Sequence, residues 1–400
     1  MASVVQTERL HTNGDSSSAP IVDDGFLPTD VLRDILLRLP AKPLCRLRAV
    51  CRSWRSLLSD SWFAAAHEAR QQPLIAAYKW KPFDQVEDYV VKPQDIQILD
   101  TSGHLVRQMC VENCVLDYRS YEICTNLDLL CVEGRDERLR VLDPATGGVS
   151  LLPDVAIVNH VPYEYASYYT TYAVGRDIST GETKVLAITR EEAYRVRART
   201  FCSVLTLGDA DGWRETGYPP TTAVHASSGI TALVKGVFYF LVVQEIAAYD
   251  FGKEKWRPDL LHLPLPIEGQ HFLAELSDTL VASYHRSDTS MDLWFLTDSD
   301  KVIWSKQYTI NMPPYQASSS TRGGTTVRPL WSLDDGRIAF LVWQSYDGKT
   351  VEFIRVYDPT THAYIDGDEM PTDYSFHAVY KGSLLTSSLD KKLSMYPTTI

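Results

Sequence analysis

Six aspartates, Asp100, Asp143, Asp209, Asp250, Asp298 and Asp358, recur along this chain, each between two apolar runs. A carboxylate so placed can act as a general acid or base, which calls for a second titratable group within hydrogen-bond reach. It can also accept hydrogen bonds from the backbone N–H groups just beyond it and shape a turn. The neighbours favour the turn. QILDTSGHLVRQM, RVLDPATGGVSLLP, TLGDADGWRE, AYDFGKEKW, FLTDSDKVIW and VYDPTTHAYI each end a strand-like run at the aspartate, follow it with turn-forming residues and resume with a second strand. The ten histidines are dispersed without a repeated spacing. Of seven cysteines, Cys110 and Cys114 form the only close pair, and no histidine or second cysteine pair stands at zinc spacing from them. Phosphate-loop, dinucleotide, metalloprotease and serine-hydrolase patterns are all missing. Arg322-Gly323-Gly324, within SSSTRGGTT, reads as a flexible loop. No catalytic residue, metal or cofactor is expected.

The aspartate turns imply strands to position them. Further strand pairs stand before most of the turns: LDLLCVEG at 127–134, KGVFYFLVV at 235–243, SDTLVASYH at 277–285 and DDGRIAFLVW at 334–343. About four strands per turn, repeated along the chain, predicts a β-propeller of six blades, with seven as the alternative count. SFHAVYKGSLLTS at 375–387 and PLIAAYKW at 73–80 read as partial blades. Pairing them in one blade would close the ring and remove two exposed edges.

The leading segment has a different period. LPTDVLRDILLRLPAKPLCRLRAVCRSWRSLL, at 27–58, repeats Val31, Leu32, Ile35, Leu36 and Leu39 at helical spacing after the start signals Pro28, Thr29 and Asp30, and Pro40 stops the run. Pro43 suits the first position of a second helix with Leu44, Leu47, Val50 and Cys51 on one side. A third helix carries Trp54, Leu57 and Leu58, and a fourth runs from Trp62 towards Ala69. A helical unit this small rarely stands alone without disulfides, metal or a partner, so its surplus leucine points to a partner.

These residues resemble an F-box. Leu27-Pro28, Asp30, Ile35-Leu36, Leu39-Pro40, Ala41-Lys42, Leu44, Arg46, Arg48, Val50-Cys51-Arg52-Ser53-Trp54, Leu57-Leu58, Phe63 and His67 follow nearly the whole motif in order, with Pro43 where the family commonly has serine. The region after it resembles the F-box-associated interaction domains abundant in plants, through LLCVEGRDERLRVLDPATGGVSLLP, AVGRDISTGETKVLAI with CSVLTLGDADGWRE, VKGVFYFLVV with AAYDFGKEKW, and MDLWFLTD with VIWSKQYTI. The expected organisation is therefore a flexible tail at 1–25, an F-box module at 26–70 and a propeller at 71–400. The resemblance implies a non-catalytic substrate receptor of a Skp–cullin–F-box ubiquitin ligase, its F-box docking on a Skp-type adaptor and its propeller holding a target protein. The adaptor-facing set is expected among Leu27, Pro28, Ile35, Leu36, Leu39, Pro40, Leu44, Val50, Cys51, Trp54 and Leu57, some of which will be internal core. The alternative is a propeller that binds or acts on a glycan or small molecule, with the F-box used for tethering or turnover.

Target contacts are expected on loops at one end of the ring. Tyr163 and Tyr165, in HVPYEYASYYTTY at 160–172, and Tyr315 and Arg322, in the long connection at 312–329, are the candidates, because aromatic and arginine side chains dominate interface hot spots. Over Tyr168, Tyr169 and Tyr172 the tract is expected to enter a strand, with alternate tyrosines packed between blades. Net charge is −12, yet 27–70 holds eight Lys/Arg against four Asp/Glu, so the body beyond is strongly acidic. That balance argues against a general nucleic-acid grip. No membrane helix and no secretory signal are expected, and the scattered, odd cysteine count fits a reducing cytoplasm or nucleus.

Overall fold

Proline and aspartate punctuation cuts the leading segment into four helices: α1 (Thr29–Leu36), α2 (Ala41–Leu47), α3 (Arg52–Leu58) and α4 (Ser61–Glu68). The computed structural model describes residues 28–39, 41–68, 70, 73–79, 94–111, 129–133, 138–144, 148–155, 166–224, 230–264, 269–287, 290–311, 325–346, 349–370 and 374–380. The expectations for the 1–25 tail, Leu27, Pro40, Cys114, Tyr163, Tyr165, Tyr315 and Arg322 fall outside these residues.

Two local expectations change. Pro43 is the third residue of α2 rather than its first, which is tolerated because the N–H groups of a first turn have no intrahelical partner to lose. Val50 lies beyond α2, which ends at Leu47, and so does Cys51. The latter caps α3, in extended backbone, its Sγ accepting the Trp54 N–H at 3.4 Å. Asp60 caps α4 in the same way, accepting the Phe63 N–H at 3.2 Å. The four helices close over Leu36, Leu37, Leu44, Leu58 and Phe63.

Among the described residues the remaining elements are strands: β1 (Leu74–Lys79), β2 (Gln94–Leu99), β3 (Leu105–Val111), β4 (Leu130–Glu133), β5 (Leu139–Leu142), β6 (Val149–Leu151), β7 (Ser167–Arg176), β8 (Thr183–Glu192), β9 (Arg199–Thr206), β10 (Arg214–Thr216), β11 (Thr231–Val234), β12 (Val237–Val242), β13 (Glu245–Asp250), β14 (Lys255–Trp256), β15 (Leu261–His262), β16 (His271–Leu276), β17 (Thr279–Ser287), β18 (Ser290–Asp298), β19 (Ile303–Asn311), β20 (Thr325–Ser332), β21 (Ile338–Tyr346), β22 (Lys349–Tyr357), β23 (Tyr364–Asp366) and β24 (Tyr374–Tyr380). They form six antiparallel sheets, the blades of a six-bladed propeller. Blade 1 has the order β24-β1-β2-β3, blade 2 is β4–β6, blade 3 is β7–β10, blade 4 is β11–β15, blade 5 is β16–β19 and blade 6 is β20–β23. Residues 325–329, expected within a long connection, are the start of β20.

The seams between blades show why the strands read as unbroken apolar runs. Six apolar clusters each join one neighbouring pair of blades, and the last, through Leu330, Trp331, Leu341 and Phe376, joins blade 6 back to blade 1. Successive residues of one strand feed opposite seams: on β7, Tyr172 and Val174 face blade 2 while Ala173 faces blade 4. With both faces covered, hydrophobic alternation disappears. Closure is covalently discontinuous, since β24 from the end of the propeller pairs antiparallel with β1 from its start.

The aspartates are turn formers. In Asp100, Asp209, Asp250, Asp298 and Asp358 the carboxylate accepts the backbone N–H two residues on, at 2.8–3.2 Å. Asp143 stands at the corresponding turn, its own N–H bonded to the Gly148 carbonyl at 2.9 Å. A seventh such turn, at Asp177, bonds the Ser179 N–H at 2.8 Å. Among the described residues, no helix is long and apolar enough to cross a membrane, and no group of three His, Cys, Asp or Glu could hold a metal ion.

Candidate functional site

The helical module buries one set of side chains and leaves another bare. Leu36 and Leu44 are 1% and 0% exposed, so these two expected adaptor contacts are internal core, closed off by the neighbouring helices. Leu39, Trp54 and Leu57 are half-buried against that core. Pro28, Ile35, Val50 and Cys51 are exposed. Two further apolar residues join them: Val31, at 45%, and Trp62, at 56% exposure. Val31 and Ile35 are four apart on α1 and share a face, a spacing legible in the sequence. Trp62 is held near α1 by the Arg33 guanidinium, 4.8 Å above its ring, a contact the sequence does not announce. Inside, His67 is buried and its Nε2 lies 2.9 Å from the Leu39 carbonyl, tying α4 to the end of α1.

In an antiparallel meander, successive turns alternate between the two ends of the strands. The aspartate turns, between third and fourth strands in five blades, therefore share one end of the ring. The β8–β9 connection opens on the other. Near that second end, Tyr168 donates to the buried Glu191 carboxylate at 2.9 Å, and the same carboxylate accepts the Arg199 Nε at 2.6 Å. Packing between blades holds for Tyr172, which is 4% exposed, but not for Tyr168 and Tyr169, at 37% and 51%, because β7 runs past the seam before its first residues meet a neighbour.

Residues 97–364 match the family model described as an F-box associated beta propeller domain, and residues 26–64 match that of the F-box domain. The chain belongs to the F-box associated β-propeller family. Among curated relatives from Arabidopsis thaliana, the putative F-box protein At4g38870 is 25% identical over 79% of this chain and 79% of its own length. F-box protein At3g07870 is 24% identical over 82% and 86%. F-box protein At3g49450 is 28% identical, the match spanning 56% of this chain and about half, 55%, of that protein. Among solved structures, the dihydro-heme d1 dehydrogenase NirN aligns at a TM-score of 0.34, with 13% identity over 79% of this chain and 78% of its own.

In this F-box protein the polar interior of the ring serves the seams. Between blades 3 and 4, the buried Lys184 ammonium lies 2.8 Å from Glu254 and 3.5 Å from Asp177 and donates to the Phe251 carbonyl at 3.2 Å, while Arg214 reaches Glu254 at 3.0 Å. A cavity of about 470 Å³ at the seam of blades 6 and 1 is lined by Ser102, Leu333, Arg337, Ile365 and Asp366, among others. Two of its charged groups are already engaged, Arg337 by Asp335 and Asp366 by Arg355.

These pairs give an acid response in two stages. Burial holds the His67 pKa below its ordinary value, against the upward pull of the Leu39 carbonyl. The unfolded ring protonates near ~6.5, so the module is at full stability above that pH and loses it as pH falls towards the lower folded value. In the propeller, the Ser179 hydroxyl and N–H hold Asp177 at about 2, helped by Lys184 and opposed by burial. Burial pushes Glu254 and Asp292 up, but hydrogen bonds and charges outweigh it, from Lys184 and Arg214 on the first and from Thr309, Arg286 and Lys306 on the second, so both lie low. These carboxylates stabilise the ring fully above about pH 4, and the contribution is lost as pH falls through their folded values. Protection of the amides over 28–68, taken relative to the intrinsic exchange rate at each pH, should therefore fall as pH drops below ~6.5, while strand amides stay protected until below ~4. Loss of both together would contradict this assignment.

Proposed function

We propose that this chain is a substrate receptor of a Skp–cullin–F-box ubiquitin ligase, its helical module docking on a Skp-type adaptor and its propeller holding a protein target. The observation that carries the reading is the set of bare apolar side chains on the module, Val31 and Ile35 on one face of α1 with Val50 and Trp62 also exposed, on a unit with a small core of its own. Exposed apolar side chains gathered on one small unit mark a partner site. The chain itself would make and break no bond. Its contribution would be to raise the effective concentration of target lysines near the transferring subunits, reached through the adaptor and a cullin. Such a receptor would work in the cytoplasm or the nucleus.

The test is binding of the purified chain to a recombinant plant Skp-type adaptor. Val31→Asp/Ile35→Asp should weaken the complex at least ~tenfold, because each buried anchor is worth ~1.5–3 kcal/mol. Helicity should be kept, since neither side chain belongs to the module's core. Undiminished affinity in a helical variant would remove the docking assignment.

A further inference from the structure

The β7–β8 hairpin projects past the seams that hold it. Ser167, Tyr168 and Tyr169, paired with Glu192, Glu191 and Arg190, are exposed or partly exposed on β7, whereas Thr171 to Val174 are buried. Three residue pairs at ~3.3 Å each make this ledge ~10 Å long, bare on β7, with Glu191 of β8 the one residue among them that is buried. The β8–β9 connection continues it as Tyr194-Arg195-Val196-Arg197.

Charge along the ledge is not balanced. Glu191 is fully buried and engaged by Arg199 and Tyr168, and Glu192 is held by the Arg190 Nε at 2.7 Å. Arg195 and Arg197 are exposed and, among the described residues, form no ion pair. The Arg195 guanidinium lies 5.0 Å from the centre of the Tyr194 ring, which is 82% exposed, a contact that holds both side chains ready at little entropic cost. Val196 adds an apolar contact at 43% exposure. Two cations with no ion pair among the described residues thus alternate with tyrosine and valine, on a chain whose net charge is −12.

We propose that this ledge, Tyr169, Arg190, Tyr194, Arg195, Val196 and Arg197, is the contact surface for a carboxylate-rich, extended segment of the target protein. The argument is charge complementarity. A locally basic, aromatic strip on an acidic body attracts carboxylates at short range and steers such a segment to one place. A nucleic acid would need a longer basic track for its regularly spaced phosphates than two arginines supply. The strip is open rather than a cavity, which suits a chain segment more than a small anion. The inference rests on the receptor reading and names the chemistry of its target.

The experiment uses the full chain and defined probes: a fluorescein-labelled peptide alternating glutamate and leucine, the same peptide with lysine for glutamate, and a single-stranded RNA of similar length, followed by anisotropy at low salt. The glutamate peptide should bind, weaken as salt rises, and lose at least ~tenfold in affinity in Arg195→Glu/Arg197→Glu. Arg195→Gln/Arg197→Gln, the gentler change, should lose less, and Tyr194→Ala should lose several-fold, with melting temperatures unchanged in all three. Failure of the glutamate peptide to bind, equal binding by the arginine variants, or tighter binding of the RNA or the lysine peptide would each overturn the proposal. Adaptor binding, measured in parallel, separates the two readings: the ledge variants should keep it, and its absence in the unaltered chain would defeat the receptor reading while leaving the peptide result standing.

Discussion

A chain ended at residue 372 should fail to give a soluble, cooperatively melting propeller. The deletion removes β24, which in blade 1 stands at the end of the order beside β1 and supplies all of that strand's pairing on one side, from Leu74↔Tyr380 to Lys79↔Tyr374. It also empties two seams at once, because Ala378 and Tyr380 pack towards blade 2 while Phe376 and Val379 pack towards blade 6. Burying Phe, Val or Tyr contributes ~1.5–3 kcal/mol apiece, and the vacated space adds a cavity cost. The sum, of order 10 kcal/mol, matches the whole stability of a typical domain, ~5–15 kcal/mol. The strand left unpaired, Leu74–Lys79, would expose an apolar edge suited to intermolecular pairing. Size-exclusion chromatography and calorimetry decide the matter. A monomeric truncation with an undiminished melting temperature would show that ring closure contributes little.

Gly175→Ala should be the most damaging single methyl group that can be added to blade 3. A Cβ built at Gly175 would lie 2.1 Å from two atoms of the Phe251 ring. That ring cannot swing aside. It is fully buried between blades 3 and 4, edge-on to Tyr249 at 5.3 Å and to Phe238 at 6.4 Å. Overpacking of a well-filled core costs ~1–3 kcal/mol and more where nothing can yield, so a loss of ~3 kcal/mol or greater is expected from chemical denaturation. Phe251→Ala is destabilising by itself, yet in combination with Gly175→Ala it should recover part of the loss, a coupling that a double-mutant cycle measures. A cost below ~1 kcal/mol for Gly175→Ala would mean that the seam relaxes freely. Because β7 and β8 carry the arginine–tyrosine ledge, a partly folded Gly175→Ala chain should also lose glutamate-peptide binding while the helical module keeps the adaptor.

What could be read directly from the residues was whatever a few neighbours settle among themselves. Pro28 with Asp30, and the aspartate turns, are local hydrogen-bonding and dihedral signals, and they lie where the sequence puts them. Six blades followed from counting those turns and the strand pairs before them. Direction was not legible. Leu36 and Val31 belong to the same apolar run, yet one is core and the other bare, because that choice depends on where α2, α3 and α4 come to rest. The tyrosines of β7 posed the same problem: a strand covered on both faces loses the alternation that would reveal which side is which, so only the end of the seam separates buried Tyr172 from exposed Tyr169. Tertiary structure alone pairs β24 with β1 and brings Lys184 to Glu254 and Asp177. Among the described residues it also leaves Arg195 and Arg197 without an ion pair, by spending Glu191 on Arg199 and Glu192 on Arg190. Charge counts along a chain are blind to such pairing, since it is fixed by cross-strand register, and register is set by how all six blades pack into one ring.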